Sequence, residues 1–156
     1  MFPVNFLAIE RIGCQVDITS KKRVLEHLGK LMSGISPSLA TSTKIFDRLM
    51  ERERLGSTGI GDGIAIPHAR LREINQAYGA FLQLKAGISF DAIDNRTVDL
   101  VFALVVPEAA TQEHLQLLAN LAAMFSDEDF CSQLRSAKTT EAILQLIQSQ
   151  EAKLTA

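Results

Sequence analysis

His68 follows Pro67 near the end of Gly56–Arg70, which reads GSTGIGDGIAIPHAR and holds four glycines in the eight residues from Gly56 to Gly63. A neutral imidazole attacks phosphorus readily, and an ordinary pKa of about 6.5 leaves much of it neutral near pH 7. Phosphoryl transfer needs a positioned nucleophile and hydrogen-bond donors around three charged oxygens, and little more. Backbone N–H groups in a glycine-rich turn can supply such donors, and Pro67 restricts the chain just before the histidine. Gly56, Ser57, Thr58, Gly59, Gly61, Gly63 and Pro67 are therefore the candidate phosphoryl or partner loop. Taken alone, these residues leave a second reading equally open: an ordinary loop histidine beside glycines that only shape a turn.

Nucleotide binding fits this loop poorly. The Walker pattern needs Lys and then Ser or Thr after its last glycine, but Gly63 is followed by Ile64 and Ala65. The dinucleotide fingerprint needs a third small residue where Ile66 stands. The three histidines, His27, His68 and His114, have no metal-ligand spacing, so neither a metal nor a cofactor is expected. His27, at the edge of a helix stripe, reads as structural. Asp62 would repel a phosphoryl group unless turned away, so Gly61, Asp62 and Gly63 are read as shaping the loop.

The elements that must hold this segment are legible as patterns. Ser20 can cap a helix over 20–33 with Val24, Leu25, Leu28, Leu31 and Met32 on one face. A second helix is predicted from Thr43 to Arg54, with Gly56 ending it. Ile64 to Ile66 reads as a short strand, and Ala77–Leu84 and Ile88–Phe90 as further strands. After a turn at Asp94-Asn95, Val98–Val106 reads as a central strand buried on both faces. A helix then starts near Thr111, with Leu115, Leu118, Leu121, Ala122 and Phe125 as a core stripe. Ser126 is expected to cap a short helix, and Thr139 or Thr140 the last one. The order of helices, strands and helices predicts an α/β sandwich.

Bulk properties bound the function. The 156 residues suit one domain, with residues 1–18 as a leading segment, and are 47% hydrophobic and 22% charged. Sixteen Lys and Arg against 18 Asp and Glu leave a formal charge of -2, with no basic footprint for nucleic acid. The longest apolar run, Leu100–Pro107, is too short to span a bilayer, so no membrane insertion is expected. Widely separated Cys14 and Cys131 suggest a reduced, cytoplasmic chain.

GSTGIGDGIAIPHAR closely resembles the active-site signature of the mannitol/fructose-type (type 2) enzyme IIA domains of the bacterial phosphotransferase system. Arg52–Thr58 resembles that family's upstream segment, Phe90–Asp94 followed by VDLVFALVVP its central strands, and Thr111–Leu115 the place of its second histidine. The resemblance implies a mixed sheet of about five strands flanked by helices. It also implies that His68 accepts a phosphoryl group from a small HPr-like phosphocarrier protein, with Arg52 and His114 supporting it. Without the family, Arg52 would read as a cation at a helix end and His114 as a surface residue.

Two branches of the family then separate. Sugar-specific (fructose or mannitol) forms pass phosphate to a IIB component. This sequence shows neither a IIB nor a IIC segment and has a lead-in before its first helix, so it most resembles the nitrogen-regulatory enzyme IIA. That group implies an output set by phosphorylation state, acting on targets such as sensor kinases or potassium-transport proteins. In its bare form this is a regulatory binding module with no onward transfer.

Overall fold

The computed structural model describes residues 2–35, 42–109 and 111–155. A short 3-10 turn, Ile9–Arg11, leads into β1 (Ile12–Val16), followed by α1 (Lys21–Met32) and α2 (Ser42–Arg54). Three short strands follow, β2 (Gly59–Gly61), β3 (Ile64–Ala65) and β4 (His68–Leu71), then two long ones, β5 (Tyr78–Ile88) and β6 (Val98–Pro107). Helices α3 (Thr111–Phe125), α4 (Glu128–Ser136) and α5 (Thr140–Thr155) complete the order.

One mixed sheet runs β1-β5-β6-β3-β2, with β4 also paired to β6. It therefore has six strands, not about five, because β3 and β4 are successive segments along one edge of β6. Ile64 stands opposite Leu100 and His68 opposite Leu104, so the parallel register is the same before and after Pro67. The ladder is interrupted at Ile66-Pro67, where proline has no N–H to give.

The sheet separates two cores. Residues of α1 and α2 pack on one face with Val101, Ala103 and Val105 of β6, while α3, α4 and α5 pack on the other with Leu100, Phe102, Leu104 and Val106. That alternation is the period-2 pattern of a strand covered on both sides. Its start is shifted by a bulge in which Asp99 N and Leu100 N both donate to Gly63 O, at 3.0 and 3.1 Å. The central strand thus matches its prediction.

Helix starts follow from side-chain caps. Ser20 Oγ accepts from Arg23 N and Thr139 Oγ1 from Ala142 N. For α4 the cap is Asp127, accepting from Phe130 N, and not Ser126, whose hydroxyl donates back to Ala123 O. The α3 stripe is also rotated from its prediction. Leu117, Leu121, Met124 and Phe125 are buried together with His114, whereas Leu115 is 59% exposed.

Three strands escaped the sequence reading. β1 lies within the segment expected only to lead in; it carries Gly13 and a positive φ at Gln15, and its register with β5 shifts between Gly13 and Val16. β2 is three residues long, too short for a pattern, and β4 carries the histidine expected in a loop. Conversely, the two strands predicted within 77–90 are one continuous β5.

Gly63 fixes the hairpin that leads to this region. Its φ is +84°, and a Cβ would come within 2.6 Å of Arg135 Nη2 and 2.9 Å of Asp99 Oδ1. Those two side chains form an ion pair, and Arg135 also donates to Asp62 O, tying the hairpin to α4. Gly63→Ala is expected to lower unfolding stability by about 1–3 kcal/mol, read as a reduced urea midpoint.

Candidate active site

His68 and Arg70 are two residues apart on β4 and project from the same face, because Ala69 and Leu71 between and beside them belong to the α1–α2 core. His114, the fourth residue of α3, meets them from the opposite helical layer; its ring centroid is 5.2 Å from that of His68. Arg52, in the last turn of α2, reaches the same place from the other side. Together with Arg48, Glu51, Leu55, Leu115 and Leu118 these residues line an open cleft of about 410 Å³.

Each ring nitrogen of His68 has a defined partner. Nδ1 lies 2.9 Å from Ile66 O, a pure acceptor, so Nδ1 carries the proton and donates. Nε2 then holds the lone pair, and Arg52 Nε donates to it at 3.2 Å. Arg52 is itself steadied by a second bond, Nη1 to Gly56 O at 2.8 Å. Burial is the main force holding the His68 pKa below its ordinary value; the Ile66 bond opposes it, and Arg52 adds to the lowering. The ring is neutral at pH 7 with one nitrogen available.

His114 is held neutral more firmly. Its pKa falls to about 4, first through burial and then through repulsion from His68, Arg70 and Arg52. Arg70 Nε donates to His114 Nδ1 at 3.4 Å, which puts the His114 proton on Nε2. That buried N–H has no partner among the described residues. Nor does any carboxylate form an ion pair with Arg52 or Arg70 among them. The arrangement is one neutral imidazole beside two guanidiniums that have no carboxylate partner among the described residues, which suits an arriving anion.

The glycine-rich loop sits differently from its expectation as a donor cradle. Thr58 N donates to the Glu53 carboxylate, Gly59 N to Ser57 Oγ, and Asp62 N to Asp94 Oδ2. Gly59 and Gly61 are strand residues of β2, and none of Gly56, Ser57, Thr58, Gly59, Gly61, Gly63 or Pro67 lines the cleft. Asp62 is turned away, pairing with Arg96 at 3.2 Å. His27 is half-buried on α1, far in the chain from these groups and no part of the cleft. Among the described residues no group of His, Cys, Asp and Glu could hold a metal ion, and no helix is long and apolar enough to cross a membrane.

The family model for the phosphoenolpyruvate-dependent sugar phosphotransferase system, EIIA 2, matches residues 5–150. The chain belongs to that family. A nitrogen regulatory protein of Pseudomonas aeruginosa is 51% identical over 128 residues, covering 82% of each chain. Another, from Klebsiella oxytoca, is 44% identical over 145 residues, 92% of this chain and 88% of the relative. The crystal structure of nitrogen regulatory protein IIA-Ntr from Neisseria meningitidis superposes with a TM-score of 0.85 at 38% identity, covering 90% of this chain and 95% of that one.

In this EIIA chain, sequence reasoning missed two contributors at the site. Arg70 was visible as the second residue after His68, but the alternation His-Ala-Arg-Leu has meaning only once β4 is known to be a strand. Glu53 was visible only as a neighbour of Arg52, although it is 6% exposed and bound to the loop.

The depressed histidines predict an acid-labile fold. Below about pH 6.5 the unfolded chain takes protons that folded His114, with its pKa near 4, does not, so stability is fully present above that window and is lost as pH falls through it. Asp94 and Asp127, held low by backbone N–H bonds, act mainly below pH 4. Urea midpoints should decline between pH 6.5 and 4, and His114→Gln should flatten the decline.

Proposed function

We propose that this EIIA protein accepts a phosphoryl group on Nε2 of His68 from an HPr-like phosphocarrier protein, and that its phosphorylation state is a regulatory output of the nitrogen branch. The observation that carries the reading is the paired orientation of the ring: Nδ1 is committed to Ile66 O, and Nε2 faces the cleft beneath Arg52. The Nε2 lone pair attacks phosphorus in line as the donor's P–N bond breaks, and the Ile66 carbonyl stabilises the positive charge that develops on the ring. Before that attack Arg52 must leave the lone pair, and it then takes a phosphoryl oxygen, with Arg70 as a second cation nearby.

A protein donor fits the rim of the cleft. Leu55 is 84% exposed and Leu115 59%, so apolar surface flanks the cations where a small charged metabolite would have no use for it. The relatives named nitrogen regulatory proteins favour the regulatory branch; targets such as sensor kinases or potassium-transport proteins and a cytoplasmic site of action come from the family resemblance alone. A phosphoryl group adds about -1.5 to -2 charges at neutral pH, enough to convert a cationic docking face into one that repels an acidic partner.

Intact mass after incubation with phosphoenolpyruvate, enzyme I and a phosphocarrier protein tests the chemistry. Wild type should gain one acid-labile phosphoryl group and His68→Ala none; a gain by His68→Ala would place the acceptor elsewhere. Arg52→Gln, lacking the donor to the transferring group, is expected to slow the gain by about a hundredfold or more. For the regulatory output, unphosphorylated wild type and His68→Ala should both capture a target protein, and phosphorylation of wild type should abolish or reverse that preference.

A further inference from the structure

Arg52 and Glu53 are consecutive in the last turn of α2, yet Arg52 meets His68 directly and Glu53 only through Thr58 and Ile66. Arg52 touches Nε2 directly. Glu53 is buried, and its carboxylate accepts from Thr58 N at 3.1 and 3.2 Å and from the Thr58 hydroxyl. Thr58 O in turn accepts from Ile66 N at 3.0 Å, and Ile66 O receives His68 Nδ1–H at 2.9 Å. Lys21 of α1 closes the other end, with Nζ 2.7 Å from Glu53 Oε2 and 3.3 Å from Phe90 O.

We infer that Glu53 is a positioning residue for His68, holding the Ile66 carbonyl against the ring through Thr58 and so selecting the nitrogen that reacts. The inference rests on the proposed role of His68 as phosphoryl acceptor. A buried carboxylate is costly unless its oxygens are fully used, and here Lys21 and two donors of Thr58 use them. Its place is not explained by helix packing, since the α2 core contacts come from Ile45 and Leu49 with Phe46 and Met50. What it fixes is Thr58, the residue that hydrogen-bonds to Ile66, beside the point where the pairing of β3 and β4 with β6 is interrupted. At that break the backbone has no pairing on β6 to set the direction of the Ile66 carbonyl, apart from Pro67 O accepting from Leu104 N at 2.9 Å. The relay supplies the missing constraint.

The arrangement makes the two substitutions unequal in a useful way. Glu53→Gln puts an NH2 among donors that all need an acceptor. Thr58→Val keeps shape and backbone but removes the hydroxyl, and Thr58→Ser returns it. Imidazole 15N–1H correlation spectra report the tautomer of His68, and phosphorylation kinetics with varied phosphocarrier report its reactivity. In wild type the Nδ1–H form should dominate. Glu53→Gln and Thr58→Val should raise the Nε2–H population and lower the rate at saturating donor by about tenfold to a hundredfold. The half-saturating donor concentration should stay unchanged, because the rim at Leu55 and Leu115 is untouched. Thr58→Ser should restore both tautomer and rate.

Thermal unfolding of each variant separates positioning from collapse; if Glu53→Gln does not fold, Thr58→Val and Thr58→Ser carry the comparison. A folded Thr58→Val with the wild-type tautomer, whether or not its rate falls, would overturn the relay. Absence of phosphorylation in wild type would instead overturn the carrier reading, while the tautomer would still decide the relay.

Discussion

A hydrogen bond of 2.9 Å from His68 Nδ1 to the Ile66 carbonyl decides which nitrogen of the ring can act, and much of the surrounding structure can be read as what that bond requires. A neutral imidazole has one proton and one lone pair, and a carbonyl can only accept. Pointing Nδ1 at Ile66 O therefore delivers the lone pair of Nε2 to the cleft. The carbonyl must come from the residue two before the histidine, so the chain has to leave its strand geometry there and resume it immediately. Pro67 does this at a point where β3 and β4 otherwise share one register along β6.

The parts of the fold that were legible in the sequence are those with long repeats of one pattern. α1 and α2 have apolar residues at helical spacing, and β6 is apolar on both faces because both faces are covered. The stripe of α3 was misplaced by one position because His114, a polar residue, takes an inward place and Leu115 is pushed to the rim. β1, β2 and β4 were missed for a common reason: each is short, and its residues are set by a neighbouring strand and not by their own alternation. His68 stood out from its own chemistry and was settled by the family resemblance, Arg52 and His114 came from the resemblance alone, and the three are adjacent in space. Arg70 and Glu53 needed the fold, since one depends on the pleat of β4 and the other on a contact across four intervening residues that leave the helix and enter the loop.

The glycine-rich segment shows why a motif can be informative and its local interpretation still incomplete. Dense glycines suggested open amides around an anion. In the folded chain Thr58, Gly59 and Asp62 spend their amides on Glu53, Ser57 and Asp94, and the glycines serve a tight β2–β3 hairpin with positive φ at Gly61 and Gly63. The donors that face the cleft are instead the guanidiniums of Arg52 of α2 and Arg70 of β4, with the His114 ring of α3 beside them. In the proposed reaction the work is thus distributed over both helical layers and the strand between them, with the loop contributing through the inferred hold on Ile66.

The charge balance of this cleft follows from keeping histidines neutral beside cations. Two guanidiniums without carboxylate partners among the described residues would ordinarily be solvated or paired; here burial first, and these cations after it, lower the pKa of both rings. A protonated His68 would have no lone pair for attack, so depression of its pKa preserves the nucleophile as well as favouring an anionic guest. The same cations that keep the ring neutral would stabilise the phosphoryl group once it is on Nε2 in the proposed reaction. His114 adds an N–H that is buried and, among the described residues, without a hydrogen-bond partner, a state that costs free energy. Among the described residues the two guanidiniums therefore bias the resting cleft toward negative charge, and in the proposed reaction that bias is built from the same few side chains that orient the nucleophile.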